Sequence, residues 1–311
     1  MSIRNNLLGQ LKRLKYRIIS PPRYQLTKDI KDFLCSDDCT LPAEEKLLIG
    51  KYLSKNIIHY INYPFVNEYL FRKVNIFFDT NNSMHYVYHN NKKLFFKKNI
   101  PKTEIESLYN SLCTEQDIRS PHSYKSFNIS YSSEDIAIDA GAAEGIWSLD
   151  IVDSVKELYL FECEDEWIDA LNVTFAPWKD KVHIIKKYIS NKTEEEKIRL
   201  DDYFIEKNIF PTIIKADIEG SEIALTEGAS ELLSKHLQHV ILCTYHNEND
   251  YQELSSILER YGFQIQPSKG YIFPIYSFTG EYSMNEIGHL IRKALIYGHK
   301  QYANKSYHTH L

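Results

Sequence analysis

From residue 134 onward, short apolar runs alternate with amphipathic stretches, and this alternation constrains the fold more than any other feature. Ile136–Ala140, Glu157–Glu162, Val182–Ile189, Thr212–Asp217 and His239–Tyr245 have the length and apolar content of buried strands. Helical patterns lie between them: from the turn after Ala140 to about Val155, then Trp167–Phe175, Glu194–Asn208, Ser221–Ser234 and Asp250–Tyr261. Further strands are expected at Phe263–Gln266 and Tyr271–Tyr276. Strands that alternate with helices pair in parallel, and right-handed crossovers place helices on both faces of the sheet. The expected fold class is therefore α/β, a doubly wound, Rossmann-like sheet.

The preceding residues differ. Residues 28–70 suggest short helices, Met84–Tyr88 and Lys93–Lys97 flank an Asn90-Asn91 hairpin turn, and residues 101–118 are helical in pattern. A boundary near 125–134 follows. The expected organisation is an α+β extension at 1–130, a main domain at 131–280 and a C-terminal helix and tail at 281–311. With 311 residues, 43% hydrophobic and 25% charged, the chain can bury a large core without staples.

Composition excludes several function classes. A net charge of −5 argues against a general nucleic-acid binder. Five dispersed cysteines form no disulfide framework, and Cys35 and Cys39 lack the second pair a zinc site needs. No apolar run reaches the roughly 18 residues of a membrane span. Residues 1–23 hold six Lys/Arg and no acid, with Ile3, Leu7, Leu11, Leu14 and Ile18 at helical spacing. They suggest an ordinary packed helix, with weak contact to an anionic membrane as the alternative. With no secretory signal in view, the expected location is cytoplasmic, peripheral to a membrane if that helix docks.

In an open α/β sheet, chemistry gathers at the carboxyl ends of the strands. The first strand ends in Asp139-Ala140-Gly141-Ala142-Ala143-Glu144-Gly145, whose glycines permit a tight turn and close backbone approach to a ligand. It is not the Gly-X-Gly-X-X-Gly pattern, and its acids repel phosphate while suiting an ammonium or hydroxyls. Glu162 ends the second strand, placed to accept hydrogen bonds from both hydroxyls of a ribose. The fourth ends in Asp217-Ile218-Glu219-Gly220-Ser221-Glu222, more carboxylates than one helix cap requires. The fifth ends in Tyr245-His246, with Asp250 capping the next helix. A histidine there suits proton transfer near neutral pH.

At these residues the chain resembles the FkbM family of S-adenosylmethionine-dependent methyltransferases. The resemblance rests on Ile138–Gly145, Phe161-Glu162, Leu200–Phe204, Ile214–Glu222 and Tyr245-His246 with Asp250, in order across residues 134–275. Glu115–Asp117 and Ser120–Tyr124 resemble a lead-in found in one branch of that family. Two departures stand out. Ala143-Glu144 replaces the usual Asn-Ile, and Cys163-Glu164 follows the second strand where proline is more common.

The resemblance implies a seven-stranded methyltransferase sheet with an antiparallel last strand, and S-adenosylmethionine as cofactor. Asp139, Gly141, Glu144 and Gly145 would hold its methionine part, Glu162 its ribose, and Tyr188 to Ser190 its adenine. His122 and Tyr124 would close the pocket. The acceptor would be a sugar or other small hydroxylated metabolite, faced by Glu219, Glu222 and Tyr245. His246 is the expected base with Asp217 orienting it, and the reverse assignment stays open. A magnesium ion on Asp217, Glu219 and His246 is the third alternative, although no metal is expected. The competing readings are a non-catalytic S-adenosylmethionine-binding module and a nucleotide-binding oxidoreductase.

Overall fold

The computed structural model describes residues 23–275 and 284–300. The basic segment 1–23 lies outside them, Arg23 apart.

The front part opens with helices α1 (Arg23–Leu34) and α2 (Ala43–Leu53). A three-stranded antiparallel sheet follows: β1 (Phe77–Asp79), β2 (Met84–His89) and β3 (Lys92–Phe95). Asn90 and Asn91 join β2 to β3 with φ of 48° and 64°. Both are left-handed, as a two-residue hairpin turn requires. Phe77–Asp79 adds a strand that the sequence pattern did not reveal. Helix α3 (Lys102–Glu115) leads into the main domain.

That domain is a seven-stranded sheet. Its strands are β4 (Ile136–Ala140), β5 (Glu157–Phe161), β6 (Val182–Ile185), β9 (Ile213–Ala216), β10 (His239–Cys243), β11 (Gln264–Pro267) and β12 (Leu295–His299). Their spatial order is β11-β12-β10-β9-β4-β5-β6. The central pairs run parallel, whereas β12 runs antiparallel to both β10 and β11. This is the Rossmann-like class I methyltransferase architecture. The order reverses at β4, so β4 and β9 diverge at their carboxyl ends and open a crevice. A small pair, β7 (Tyr188–Ile189) and β8 (Lys197–Ile198), lies beside the main sheet.

Connecting helices are α4 (Ile146–Ile151), α5 (Asp165–Thr174), α6 (Leu200–Ile205), α7 (Glu222–Gly228), α8 (Ser230–Lys235) and α9 (Asp250–Arg260). The expected single helix over 221–234 is thus two short ones. Two apolar cores sandwich the sheet. One joins the sheet to the front part, from Leu26 to Tyr297, and the other packs α6 to α9 on the opposite face.

The C-terminal expectation needs correction. Among the described residues 271–275, only Ile272 forms a β-bridge, with Arg292, in place of the strand expected over Tyr271–Tyr276. The antiparallel strand is Leu295–His299, so residues 281–311, expected to be a helix and tail, contribute to the sheet. A central position between β10 and β11 demands apolar residues, and four of the five in β12 are buried.

Candidate active site

Parallel register sets Asp139 of β4 directly opposite Lys215 of β9. Both are buried, and Lys215 Nζ donates to Asp139 Oδ1 at 2.8 Å and to the Gly141 carbonyl at 2.9 Å. Ser148 Oγ donates to the other Asp139 oxygen at 2.6 Å. Burial depresses Lys215, but Asp139 and Asp217 more than offset it, so its ammonium is held charged. Sequence reasoning gave Lys215 no role. The available signal was a lone cation inside an otherwise apolar strand, at the same distance from the strand end as the acid of β4.

The turn after β4 is held by backbone bonds from Gly141 and Ala142 to the Phe161 carbonyl. Gly141 and Gly145 both have positive φ, 74° and 80°. Both are required by packing within the protein. A Cβ at Gly141 would meet the Asp217 carbonyl oxygen at 2.0 Å, and one at Gly145 would meet Leu171 and Phe175 at 2.8 Å. These glycines let β9 and α5 pack against the turn. Gly141 also lines the cavity. Ala143 is left-handed as well, with φ of 47°, at the position where asparagine is usual in the family that this chain resembles.

The cavity in the crevice is lined by Asp139, Gly141 and Glu144 from this turn, Lys215 and Asp217 from β9 and its end, and Trp147 from α4. Its other wall comes from the front part, through Leu112, Glu115, Gln116, His122 and Tyr124. The expected residues His122, Tyr124, Asp139, Gly141, Glu144 and Asp217 therefore meet at one place. Burial pushes the Glu144 carboxyl up to about 7, against backbone N–H groups and Lys215 that favour its anion. Burial holds His122 down at about 4 despite Asp217, so its ring is neutral, with Nδ1 enclosed and unpartnered.

Glu162 Oε2 accepts the Ala143 N–H at 2.8 Å, while Oε1 accepts from Cys163 and Glu164 at 2.6 and 2.8 Å. Three of about four acceptor positions on a carboxylate are thus occupied. A ribose hydroxyl can take the fourth, and holding two hydroxyls requires release of one backbone bond. Tyr188 and Ser190 stand apart from the residues that line the cavity, and Tyr188 is exposed.

At the end of β9, Asp217 is gripped from several directions. Tyr245 donates to Oδ1 at 3.1 Å and Tyr124 to Oδ2 at 3.4 Å. His246 Nε2 lies 3.4 Å from Oδ1, and His122 Nε2 lies 3.7 Å from Oδ2. Burial raises Asp217, but His122, Lys215, His246 and Tyr245 together bring it below the ordinary carboxylate value. It is an anion, poorly suited to take a proton.

His246 has carboxylates on both ring nitrogens. Glu222 Oε1 sits 3.1 Å from Nδ1, close but off the hydrogen-bond direction, and Asp217 faces Nε2. Burial lowers its basicity, whereas Glu222, Asp217 and Glu219 raise it further, leaving a net rise above the ordinary histidine value. Glu222 was expected to touch the acceptor. Its side chain is 1% exposed and Oε1 accepts the Ile218 N–H at 3.0 Å, so it acts behind His246 instead. Glu219 is 95% exposed and 4.0 Å from His246, free to meet a ligand. Arg292, just before β12, donates to the Tyr245 and His246 carbonyls at 2.7 and 3.3 Å. Asp250 accepts the Asn247 N–H at 2.7 Å, bracing the same turn.

Among the described residues, two sets of side chains offer ligand atoms within 4.8 Å of one another: Asp217, Glu222 and His246, and His122, Asp217 and Cys243. Neither is the Asp217–Glu219–His246 set weighed from sequence.

Residues 139–265 match the methyltransferase FkbM domain model. No curated protein sequence matches the chain. Among solved structures, methyltransferase FkbM from Methylobacillus flagellatus KT is 17% identical, with a TM-score of 0.45 over 57% of this chain and 46% of that one. The chain thus spans less than half the length of that protein. A precorrin-6y C5,15-methyltransferase from Geobacter metallireducens GS-15 is 10% identical, with a TM-score of 0.38 over 56% of this chain and 85% of that one. An rRNA methylase from Streptococcus thermophilus is 13% identical, with a TM-score of 0.35 over 55% and 89%. Residues 139–265 are thus the part of this chain that is similar to the methyltransferase FkbM domain.

Proposed function

We propose that the protein transfers a methyl group from S-adenosylmethionine to a hydroxyl oxygen of a sugar or another small hydroxylated metabolite. One observation carries this reading. An acid-lined cavity at the switch point of the sheet is bordered through Asp217 by His246, with Glu222 buried behind its ring. The lining chemistry suits the cofactor. Glu115, Asp139, Glu144 and Asp217 outnumber Lys215, which favours a ligand carrying a sulfonium and an ammonium over one carrying phosphates. Asp139 and Glu144 would hold the methionine end, and Glu162 one ribose hydroxyl. When bound, the cofactor supplies an electrophilic methyl on a positively charged sulfur.

The residues of the chain then have defined work. Glu222 biases the His246 proton toward Nδ1, leaving the Nε2 lone pair facing Asp217 and the acceptor side. An acceptor hydroxyl placed between Nε2 and Asp217 loses its proton to Nε2. Asp217, anionic and fixed by two tyrosines, stabilises the imidazolium that results. Tyr60, His122 and Tyr245, in edge-to-face contact, and Tyr124 against His122 form an aromatic wall that partly shields Asp217 from solvent. A positioned base of this kind contributes about 10²–10⁴-fold.

Among the described residues no helix is long and apolar enough to cross a membrane. The acceptor is a small molecule rather than nucleic acid, in keeping with the net charge of −5. Titration calorimetry with S-adenosylmethionine, its demethylated product and NAD tests the cofactor. Binding of the first two, weakened in Glu162→Ala, is expected, and binding of NAD alone would refute the reading. Loss of turnover in His246→Asn with cofactor affinity retained separates an enzyme from a binding module.

A further inference from the structure

The front wall of the cavity lies outside the matched domain, and Glu115 supplies its carboxyl. Glu115 ends α3 and is half-buried, with a marginal 3.5 Å hydrogen bond from Ser111 Oγ. It lines the same cavity as Glu144, on the methionine side, and Asp217, on the acceptor side. A residue that lines the cavity together with both borders the space between them. In the methyl-transfer reading, on which this inference rests, that space must hold the sulfur, because the methyl passes from one side to the other.

We propose that Glu115 reads the charge on the cofactor sulfur, so that the front segment favours the methyl donor over its demethylated product. With the donor bound, Glu115 is ionised and faces the sulfonium. Methyl transfer breaks the sulfur–methyl bond, whose electron pair stays on sulfur as a neutral thioether, and forms the oxygen–methyl bond. The acceptor proton goes to His246. Glu115 then takes a proton from solvent, and the cavity loses one positive and one negative charge together. Product is left beside a neutral carboxylic acid and dissociates more readily.

The surroundings support this sequence. Burial, with Glu144 and Asp217, pushes Glu115 up to about 8. Asp139 and Glu144 face the same cavity from the β4 turn, Lys215 and Asp217 from β9, and the neutral His122 from the segment after α3. At neutral pH a cation entering the cavity therefore displaces the proton on Glu115, and a neutral thioether does not.

The test is titration calorimetry of the full chain at pH 7.5 in two buffers of different ionisation enthalpy, with S-adenosylmethionine and separately with its demethylated product. Wild type is expected to release roughly one proton with the donor and clearly less with the product. Glu115→Gln should remove most of that difference and lower the donor-to-product affinity ratio about tenfold, the scale of one charge pair in a screened cavity. Equal proton release with both ligands in wild type, or an unchanged ratio in Glu115→Gln, would overturn the proposal. Failure of both ligands to bind wild type would instead refute the methyl-transfer reading itself.

Discussion

Lys215 and Asp139 form a buried ion pair whose two members are unequal in what they leave behind. Truncating the lysine strands a carboxylate that is 1% exposed beside β9. Lys215→Met should therefore cost about 3–5 kcal/mol, the usual penalty for an uncompensated buried charge. The double variant Asp139→Asn with Lys215→Met should recover much of it, because the surviving amide is neutral. Urea denaturation of the three proteins checks this, and a single-variant loss under about 1 kcal/mol would contradict it. Much of the site was legible at this scale. Strand-end acids and a strand-end histidine mark a crevice whatever the packing, which is why Asp139, Glu144, Asp217 and His246 could be named from sequence. Lys215 and Glu115 were not assigned roles because their meaning depends on register and on a helix from outside the domain. The role of Glu222 was misread, since strand-end spacing does not reveal burial.

Helix α7 begins at Glu222, and that placement governs the ionisation of His246. The net effect of its surroundings raises His246 above its ordinary value. A base must be unprotonated to act, so turnover should rise with pH through a limb lying above about 6.5, the unperturbed histidine value. Glu222→Gln removes the negative charge next to Nδ1 and should move that limb to lower pH, while reducing the plateau because the ring is less firmly oriented. Rate–pH profiles at saturating cofactor check both effects. A limb that stays in place would mean that Glu222 only caps the Ile218 N–H. Elements were mostly predictable because helix and strand periods differ, and Asn90-Asn91 marked its hairpin well. Strand β12 was not recovered. Leu295–His299 is too short and too uniformly apolar for periodicity to separate a strand from a buried helix. Gly298 also weakens the pattern, and it is there because a Cβ would press on Leu258 and Phe263 at 3.2 and 3.3 Å.

The whole molecule does not divide where the sequence pattern divides. The composition shift near 125–134 suggested separable units, yet one core runs from Leu26 and Ile30 in α1, through Leu94 in β3, to Ala137, Leu158, Ile241 and Leu295 in the main sheet. The front wall of the cavity belongs to that shared core, with Phe96, Leu112 and Tyr124 buried in it. Polar contacts reinforce the junction, where His89 and Lys125 meet Asp150 at 3.0 and 2.9 Å. A continuous apolar core transmits unfolding across its whole extent, because exposing one side strips contacts from the other. Heating should therefore produce a single calorimetric transition whose measured enthalpy equals its van't Hoff enthalpy. S-adenosylmethionine at about 100 times its dissociation constant should shift that transition upward intact, adding about 2.7 kcal/mol of stability. Two transitions, with only the later one moved by the cofactor, would show that the front part folds separately. The cavity would then be the meeting of two units, and the selectivity assigned to Glu115 would depend on how firmly they dock.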